Sequence, residues 1–180
     1  VLVGVVLAGG LSSRMGADKA LLQWQGQSLL DRAQTLLNES GVSKVVVSGE
    51  LGIADRYTAQ GPVGGIVSVV MNLQMQPHDQ LIVLPVDMPL LTTEHINNLC
   101  QYAEQHHTSA YYEGYVLPSL LRIEHAVSNK VIRLFENGET MSVKRLLALC
   151  NAVPIPCFEQ NKFINLNTPA EWQRFHTHHV

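Results

Sequence analysis

Apolar residues along this chain follow two alternating patterns, short unbroken runs and longer stretches at helical spacing. Val1-Leu2-Val3-Gly4-Val5-Val6 reads as a buried first strand and Lys44-Val45-Val46-Val47-Ser48 as a second. Gln80 to Val86 reads as a third, with Leu81-Ile82-Val83-Leu84 apolar on both faces, as parallel strands usually are. Between the first two, Ser28-Leu29-Leu30-Asp31 has the form of a capping box. It opens a helix with Leu29, Leu30, Ala33, Leu36 and Leu37 on one face, ended by Gly41. Gly64-Gly65 leads into an apolar helix through Met71, and Thr93 starts a helix carrying Ile96, Leu99, Cys100 and Ala103. Tyr111 to Ile123 is expected to be rich in strand, followed by short helices around Val127–Phe135 and Val143–Leu149. Thr168-Pro169-Ala170-Glu171 combines an N-cap, a proline at the first helical position and a glutamate at the third, predicting a helix to about His176. Strand and helix alternate throughout, which predicts an α/β fold with a mostly parallel sheet between two helical layers. No repeat or long linker interrupts residues 1–180, so one domain is expected.

Composition narrows the function classes. A hydrophobic content of 46% with 15% charged residues describes a globule, and a formal charge of −3 gives no general attraction to nucleic acid or to an anionic membrane. No apolar run reaches the roughly 20 residues needed to span a bilayer. The apolar start lacks the basic flank of a signal segment. Cys100, Cys150 and Cys157 show no C-x-x-C spacing and read as buried small hydrophobes; reduced thiols and a cytoplasmic location are the expectation. Trp24 and Trp172 read as packing residues, and His176, His178 and His179 as a frayed terminus.

The chemistry is concentrated after the first strand, in Leu7-Ala8-Gly9-Gly10-Leu11-Ser12-Ser13-Arg14-Met15-Gly16-Ala17-Asp18-Lys19. Adjacent glycines let the backbone approach a ligand closely, and their N–H groups can form an anion-binding nest. Arg14 offers a planar fork for phosphate oxygens and Lys19 a mobile point charge. A cation ~4 Å from a phosphate gains roughly 4 kcal/mol at an effective dielectric of about 20. The Walker A ending is absent because Lys19 follows Asp18, and the dinucleotide G-x-G-x-x-G is absent because Gly9 and Gly10 are adjacent. A different kind of nucleotide site is therefore expected. Asp87, just past the third strand and before Pro89, can hold Mg²⁺ or simply cap its turn.

The pattern Leu-Ala-Gly-Gly-x-Ser-x-Arg-Met-Gly-x-Asp-Lys resembles the signature of MobA-like nucleotidyltransferases, and within them that of the molybdenum cofactor guanylyltransferases. Gly61-Pro62-Val63-Gly64-Gly65, Leu84-Pro85-Val86-Asp87-Met88-Pro89 and Phe163-Ile164-Asn165-Leu166-Asn167-Thr168-Pro169 extend the resemblance over nearly the whole chain. It implies a Rossmann-like nucleotidyltransferase fold. It also implies transfer of GMP from GTP to the terminal phosphate of molybdenum-molybdopterin, with Mg²⁺ as cofactor. In that picture Leu7, Ala8, Gly9, Gly10, Lys19, Ser48, Asp55, Gly64 and Asp87 contact the nucleotide. Arg14, Lys19 and Asp87 are its catalytic residues, Asp87 the metal ligand, and Asn165 and Asn167 the acceptor side.

Gly10 in Leu-Ala-Gly-Gly matches guanylyl rather than cytidylyl members. Asp55 reads equally as an exposed loop acid. Asn165 and Asn167, two apart, would share one face of a strand, or Asn167 would belong to the turn before Thr168. The implied partners are the two substrates and molybdoenzyme maturation proteins, with a monomer or weak homo-oligomer expected.

Departures fall mainly on the acceptor side. Ser48 stands where the family usually has asparagine, Leu117 where a His or Arg often precedes the proline, and Thr140-Met141 where a basic pair is common. Lys144 and Arg145 can substitute for that pair from one turn onward. A cytidylyl or sugar-phosphate nucleotidyltransferase, and a nucleotide-binding regulator without catalysis, stand as alternatives.

Overall fold

The protein is described by a computed structural model covering residues 1–8, 19–57 and 61–179. Its strands are β1 (Leu2–Leu7), β2 (Gln23–Trp24), β3 (Gln27–Ser28), β4 (Lys44–Ser48), β5 (Gln80–Pro85), β6 (Ala110–Tyr112), β7 (Tyr115–Leu121) and β8 (Val153–Ile155). Its helices are α1 (Leu29–Glu39), α2 (Gly61–Asn72), α3 (Thr93–His106), α4 (His125–Glu136), α5 (Val143–Leu149) and α6 (Pro169–His179). A short 3-10 turn covers Gln160–Lys162.

The main sheet has the order β4-β1-β5-β7-β6-β8. β4, β1 and β5 are mutually parallel; β7 runs antiparallel to both β5 and β6, and β8 is parallel to β6. One reversed strand in an otherwise parallel sheet is the mostly parallel α/β arrangement expected. Alternation along each strand divides the core. Val3, Val5 and Leu7 of β1 and Leu81 and Val83 of β5 pack with α2, α4 and α5, whereas Val6, Ile82 and Leu84 face α1, α3 and α6. The four central residues of β5 are at most 1% exposed, so each contributes on the order of 2 kcal/mol of apolar burial. Gly4 lets α1 lie close to the sheet: a Cβ there would stand 3.0 Å from Leu37 Cδ1.

Helix starts follow the caps expected. Ser28 Oγ accepts from the Asp31 N–H at 3.0 Å, and Gly41 takes φ +77 just beyond the end of α1. Four details differ from expectation. The turn Gln25-Gly26, with φ of +51 and +78, closes a hairpin of β2 on β3 that two-residue strands leave without a visible period. α2 begins at Gly61, so Gly64-Gly65 lie inside the helix rather than ahead of it. Residues 163–167 are not a strand; burial falls on Phe163 and Leu166, a spacing of three, and Leu166 N–H donates to Asp87 O at 2.9 Å outside any ladder. α6 continues to His179, so His176 and His178 belong to a helix rather than a frayed coil.

Trp24 packs as expected, 3% exposed against Phe175 with the Arg32 guanidinium 4.1 Å above its ring. Burial pushes the Cys100 and Cys150 thiols up to about 11, which keeps them protonated and unreactive. Among the described residues no helix is long and apolar enough to cross a membrane.

Candidate nucleotide and metal site

Parallel pairing aligns the carboxyl ends of three strands. Leu7 lies opposite Ser48 of β4 on one side and Pro85 of β5 on the other. Two further hydrogen bonds extend that alignment, from Ala8 N–H to Ser48 O at 3.0 Å and from Val86 N–H to Leu7 O at 3.1 Å. In open α/β sheets ligands bind outside these strand ends, and two groups of expected residues meet there.

The first group surrounds Asp87. Lys19 Nζ stands 3.4 Å from Asp87 Oδ2 and 3.5 Å from Asn167 Oδ1, although 68 and 148 positions of sequence separate them. Lys19 and Asp87 side chains are 14% and 17% exposed, so the pair sits in a crevice rather than on open surface. Burial raises the Asp87 acid above its usual value; Lys19 pulls it back down and Glu171 pushes it further up. The third chain segment is fixed by its own hydrogen bonds. Glu171 Oε2 accepts from Asn167 N–H at 2.7 Å and Thr168 N–H at 3.1 Å, while Thr168 Oγ1 accepts from Glu171 N–H at 3.2 Å. This reciprocal cap starts α6 and ties it to the site.

The second group surrounds Asp55. Ser48 Oγ donates to Asp55 Oδ1 at 3.4 Å. Gly65 makes room for that contact: a Cβ at Gly65 would lie 2.5 Å from Ser48 Oγ, 3.3 Å from Asp55 Oδ1 and 3.6 Å from Leu7 Cδ2. The loop is pinned on both flanks, by Ile53 N–H to Val47 O at 2.7 Å and Arg56 N–H to Ser68 Oγ at 2.9 Å. Ser68 in turn donates to Gly64 O at 2.7 Å. Burial raises the Asp55 acid, with Ser48 opposing, so the carboxylate lies partly withdrawn from water. It can accept hydrogen bonds from a ligand edge that offers donors.

The structure therefore gathers Leu7, Ala8, Ser48, Asp55 and Gly64 at one corner, and Lys19, Asp87 and Asn167 at the other. Asn165 is exposed in the same segment as Asn167. Gly9, Gly10 and Arg14 lie outside the described residues. Sequence reasoning missed Gly65, Ser68 and the proximity of Glu171 to Asp87. The Gly64-Gly65 pair was a signal for the first; the other two are contacts between distant segments that no local pattern announces.

The donor set at Asp87 suits a hard divalent cation. Among the described residues no group of three His, Cys, Asp or Glu side chains is poised for a metal. Asp87 instead presents one carboxylate, which shares the Lys19 ammonium with the amide oxygen of Asn167, and magnesium is commonly held by one or two carboxylates with substrate phosphates and water completing its octahedron.

Comparison with known proteins identifies the family and the fold. Residues 4–135 match the MobA-like NTP transferase domain. Over 178 residues the chain is 40% identical to the molybdenum cofactor guanylyltransferase of Xanthomonas euvesicatoria pv. vesicatoria, covering 95% of this chain and 92% of that one. It is 27% identical over 190 residues to a probable molybdenum cofactor guanylyltransferase of Bacillus cytotoxicus, covering 94% and 93%. The fold is shared with a molybdopterin-guanine dinucleotide biosynthesis protein A from Archaeoglobus fulgidus, at a TM-score of 0.70 and 20% identity over 97% of each chain. It is also shared with a nucleotidyl transferase from Methanothermobacter thermautotroptrophicus, at a TM-score of 0.71 and 14% identity over 98% and 96% of the two chains.

Proposed function

Because the chain belongs to the MobA-like NTP transferase family, we propose that it transfers GMP from GTP to the terminal phosphate of molybdenum-molybdopterin, releasing pyrophosphate. The observation that carries the reading is the meeting of Lys19, Asp87 and Asn167 at the strand ends, with Asp55 across the same edge of the sheet. Lys19 is a cation for triphosphate oxygens; Asp55 accepts from the N1–H and N2–H₂ donors of guanine, with Ser48 and Gly65 holding it. Leu7, Ala8, Gly9, Gly10 and Gly64 offer backbone contacts to the nucleotide, and Arg14 a second cation.

An acceptor phosphate oxygen attacks the α-phosphorus in line. A phosphorus–oxygen bond forms there, the bond from the α-phosphorus to its bridging oxygen breaks, and the electron pair leaves with pyrophosphate. The nucleophile is already anionic, so no general base is required. The residues align two anions and neutralise their charge. Mg²⁺, held by Asp87 with Asn167 nearby, would supply charge neutralisation on the phosphate oxygens when bound. Asn165 and Asn167 orient the acceptor, and the product passes to a molybdoenzyme maturation protein.

Turnover of molybdenum-loaded molybdopterin with GTP, CTP or a sugar phosphate system, followed by pyrophosphate release, tests the reading. GTP is expected to be used in marked preference to CTP, with Lys19→Ala and Asp87→Ala each lowering turnover by about two orders of magnitude or more. Preference for CTP, or full activity in either folded variant, would overturn it.

A further inference from the structure

The segment that carries Asn165 and Asn167 has no ladder to hold it, so its position comes from side-chain contacts and isolated hydrogen bonds. Its upstream end is fixed on α3. His95 is 4% exposed, and its Nδ1 accepts from Thr92 N–H at 3.0 Å, which places the ring proton on Nε2. Nε2 lies 3.1 Å from Glu159 Oε2, immediately ahead of the 3-10 turn Gln160–Lys162. The contact is an ion-dipole approach at close range rather than an aligned hydrogen bond. The same ring meets Phe163 edge-on, with centroids 5.2 Å apart and planes at 85°. Phe163 also packs on Tyr112 at 4.9 Å and Tyr115 at 4.7 Å, and the Tyr112 hydroxyl donates to His95 O at 2.8 Å. Three residues on, Leu166 is buried and bonded to the Asp87 carbonyl. A continuous series of contacts thus runs from His95 to the backbone of the metal-ligand candidate.

We propose that His95, paired with Glu159, is a positioning residue that holds the Phe163–Asn167 segment against the Asp87 end of the site and so sets the affinity for the phosphate-bearing acceptor. The inference rests on the guanylyl-transfer reading for its kinetic consequence, but not for its structural one. His95 touches neither the Lys19–Asp87 pair nor the Asp55 corner, so it acts on the acceptor through the segment alone. Trimming Glu159 is the gentlest cut, because its side chain is 52% exposed and its removal opens no cavity.

The test compares wild type, Glu159→Ala, Glu159→Gln and His95→Asn, which keeps an acceptor for Thr92 N–H while losing the Nε2 donor. Two readouts are taken: KM for molybdopterin against KM for GTP, and hydrogen exchange at the Leu166 and Asn167 amides without substrate. Glu159→Ala and His95→Asn are expected to raise the acceptor KM roughly three- to fivefold, the scale set by loss of one partly exposed polar contact, with GTP KM nearly unchanged in both and melting temperature nearly unchanged in Glu159→Ala. Both should speed exchange at the two amides, and Glu159→Gln, which keeps an acceptor oxygen but loses the charge, should fall between Glu159→Ala and wild type on each readout. Unchanged exchange in both severed variants would overturn the proposal, as would equal rises in the two KM values, which mark a general structural role. If the wild type shows no guanylyl transfer, the functional reading fails while the exchange measurement still decides the positioning role.

Discussion

At Asp87 the requirements of folding and of ligand binding pull in opposite directions. Its carboxylate is withdrawn from water, which raises its acid above the usual 3.8, and Lys19 at 3.4 Å compensates only in part. Between the unfolded and the raised folded value, the native chain holds a proton that the unfolded chain has lost. Stability therefore falls as pH rises through that window and stays lower above it, where the carboxylate is ionised in both states. Asp87→Asn removes the ionised group and leaves an oxygen for Lys19. The variant is expected to melt higher than wild type at pH 7, by about 2–4 °C per kcal/mol recovered in a chain of this size. The difference should vanish as pH falls below about 3.8. Calorimetry across pH checks this, and an Asp87→Asn variant that melts lower at pH 7 would show that Lys19 outweighs desolvation.

The elements differ in how far they act on the site, and their caps make the difference measurable. Ser28 caps α1 through the Asp31 N–H of its own first turn, and the buried face of Leu29, Ala33 and Leu37 packs on the sheet. Ser28→Ala should cost about 1 kcal/mol of stability and leave kinetics unchanged. Glu171 caps α6, but it also fixes the Asn167 N–H and faces Asp87. Glu171→Ala should cost a similar amount and, in addition, raise the acceptor KM. Unfolding midpoints and initial rates on the same two preparations separate the cases, and equal kinetics in both would detach α6 from the site. Both caps were legible because a capping box is a local pattern, and the buried strands were legible from unbroken apolar runs such as Leu81-Ile82-Val83-Leu84 of β5. For the segment 163–167 two asparagines at spacing two left a strand and a turn before Thr168 both open; the turn is what forms, and the buried period follows Phe163 and Leu166, which answer to α3 and Asp87. Ser68 under Arg56, and Glu171 beside Asp87, are contacts across the fold. Local periodicity has no means of announcing them.

At the scale of the whole molecule, a formal charge of −3 means that a triphosphate is not drawn in by the overall field. Affinity has to come from a few groups at the strand ends, where Leu7 is flanked by β4 on one side and β5 on the other. That division has a thermal consequence. A ligand that binds only the native state adds RT ln(1 + [L]/Kd), about 2.7 kcal/mol at a hundredfold excess over Kd. GTP with Mg²⁺ should therefore raise the melting temperature of the wild type by several degrees, and a chelator should remove a large part of the rise. Asp87→Asn, though expected to be more stable alone, should gain less from GTP and lose nothing further to the chelator if, as proposed, the Asp87 carboxylate couples metal to nucleotide. Asp55→Ala should blunt the response to GTP with and without the metal alike, since the contact proposed for Asp55 is to the base. A chelator effect of equal size in wild type and Asp87→Asn would place the metal elsewhere and leave the Lys19–Asp87 pair as a structural contact only.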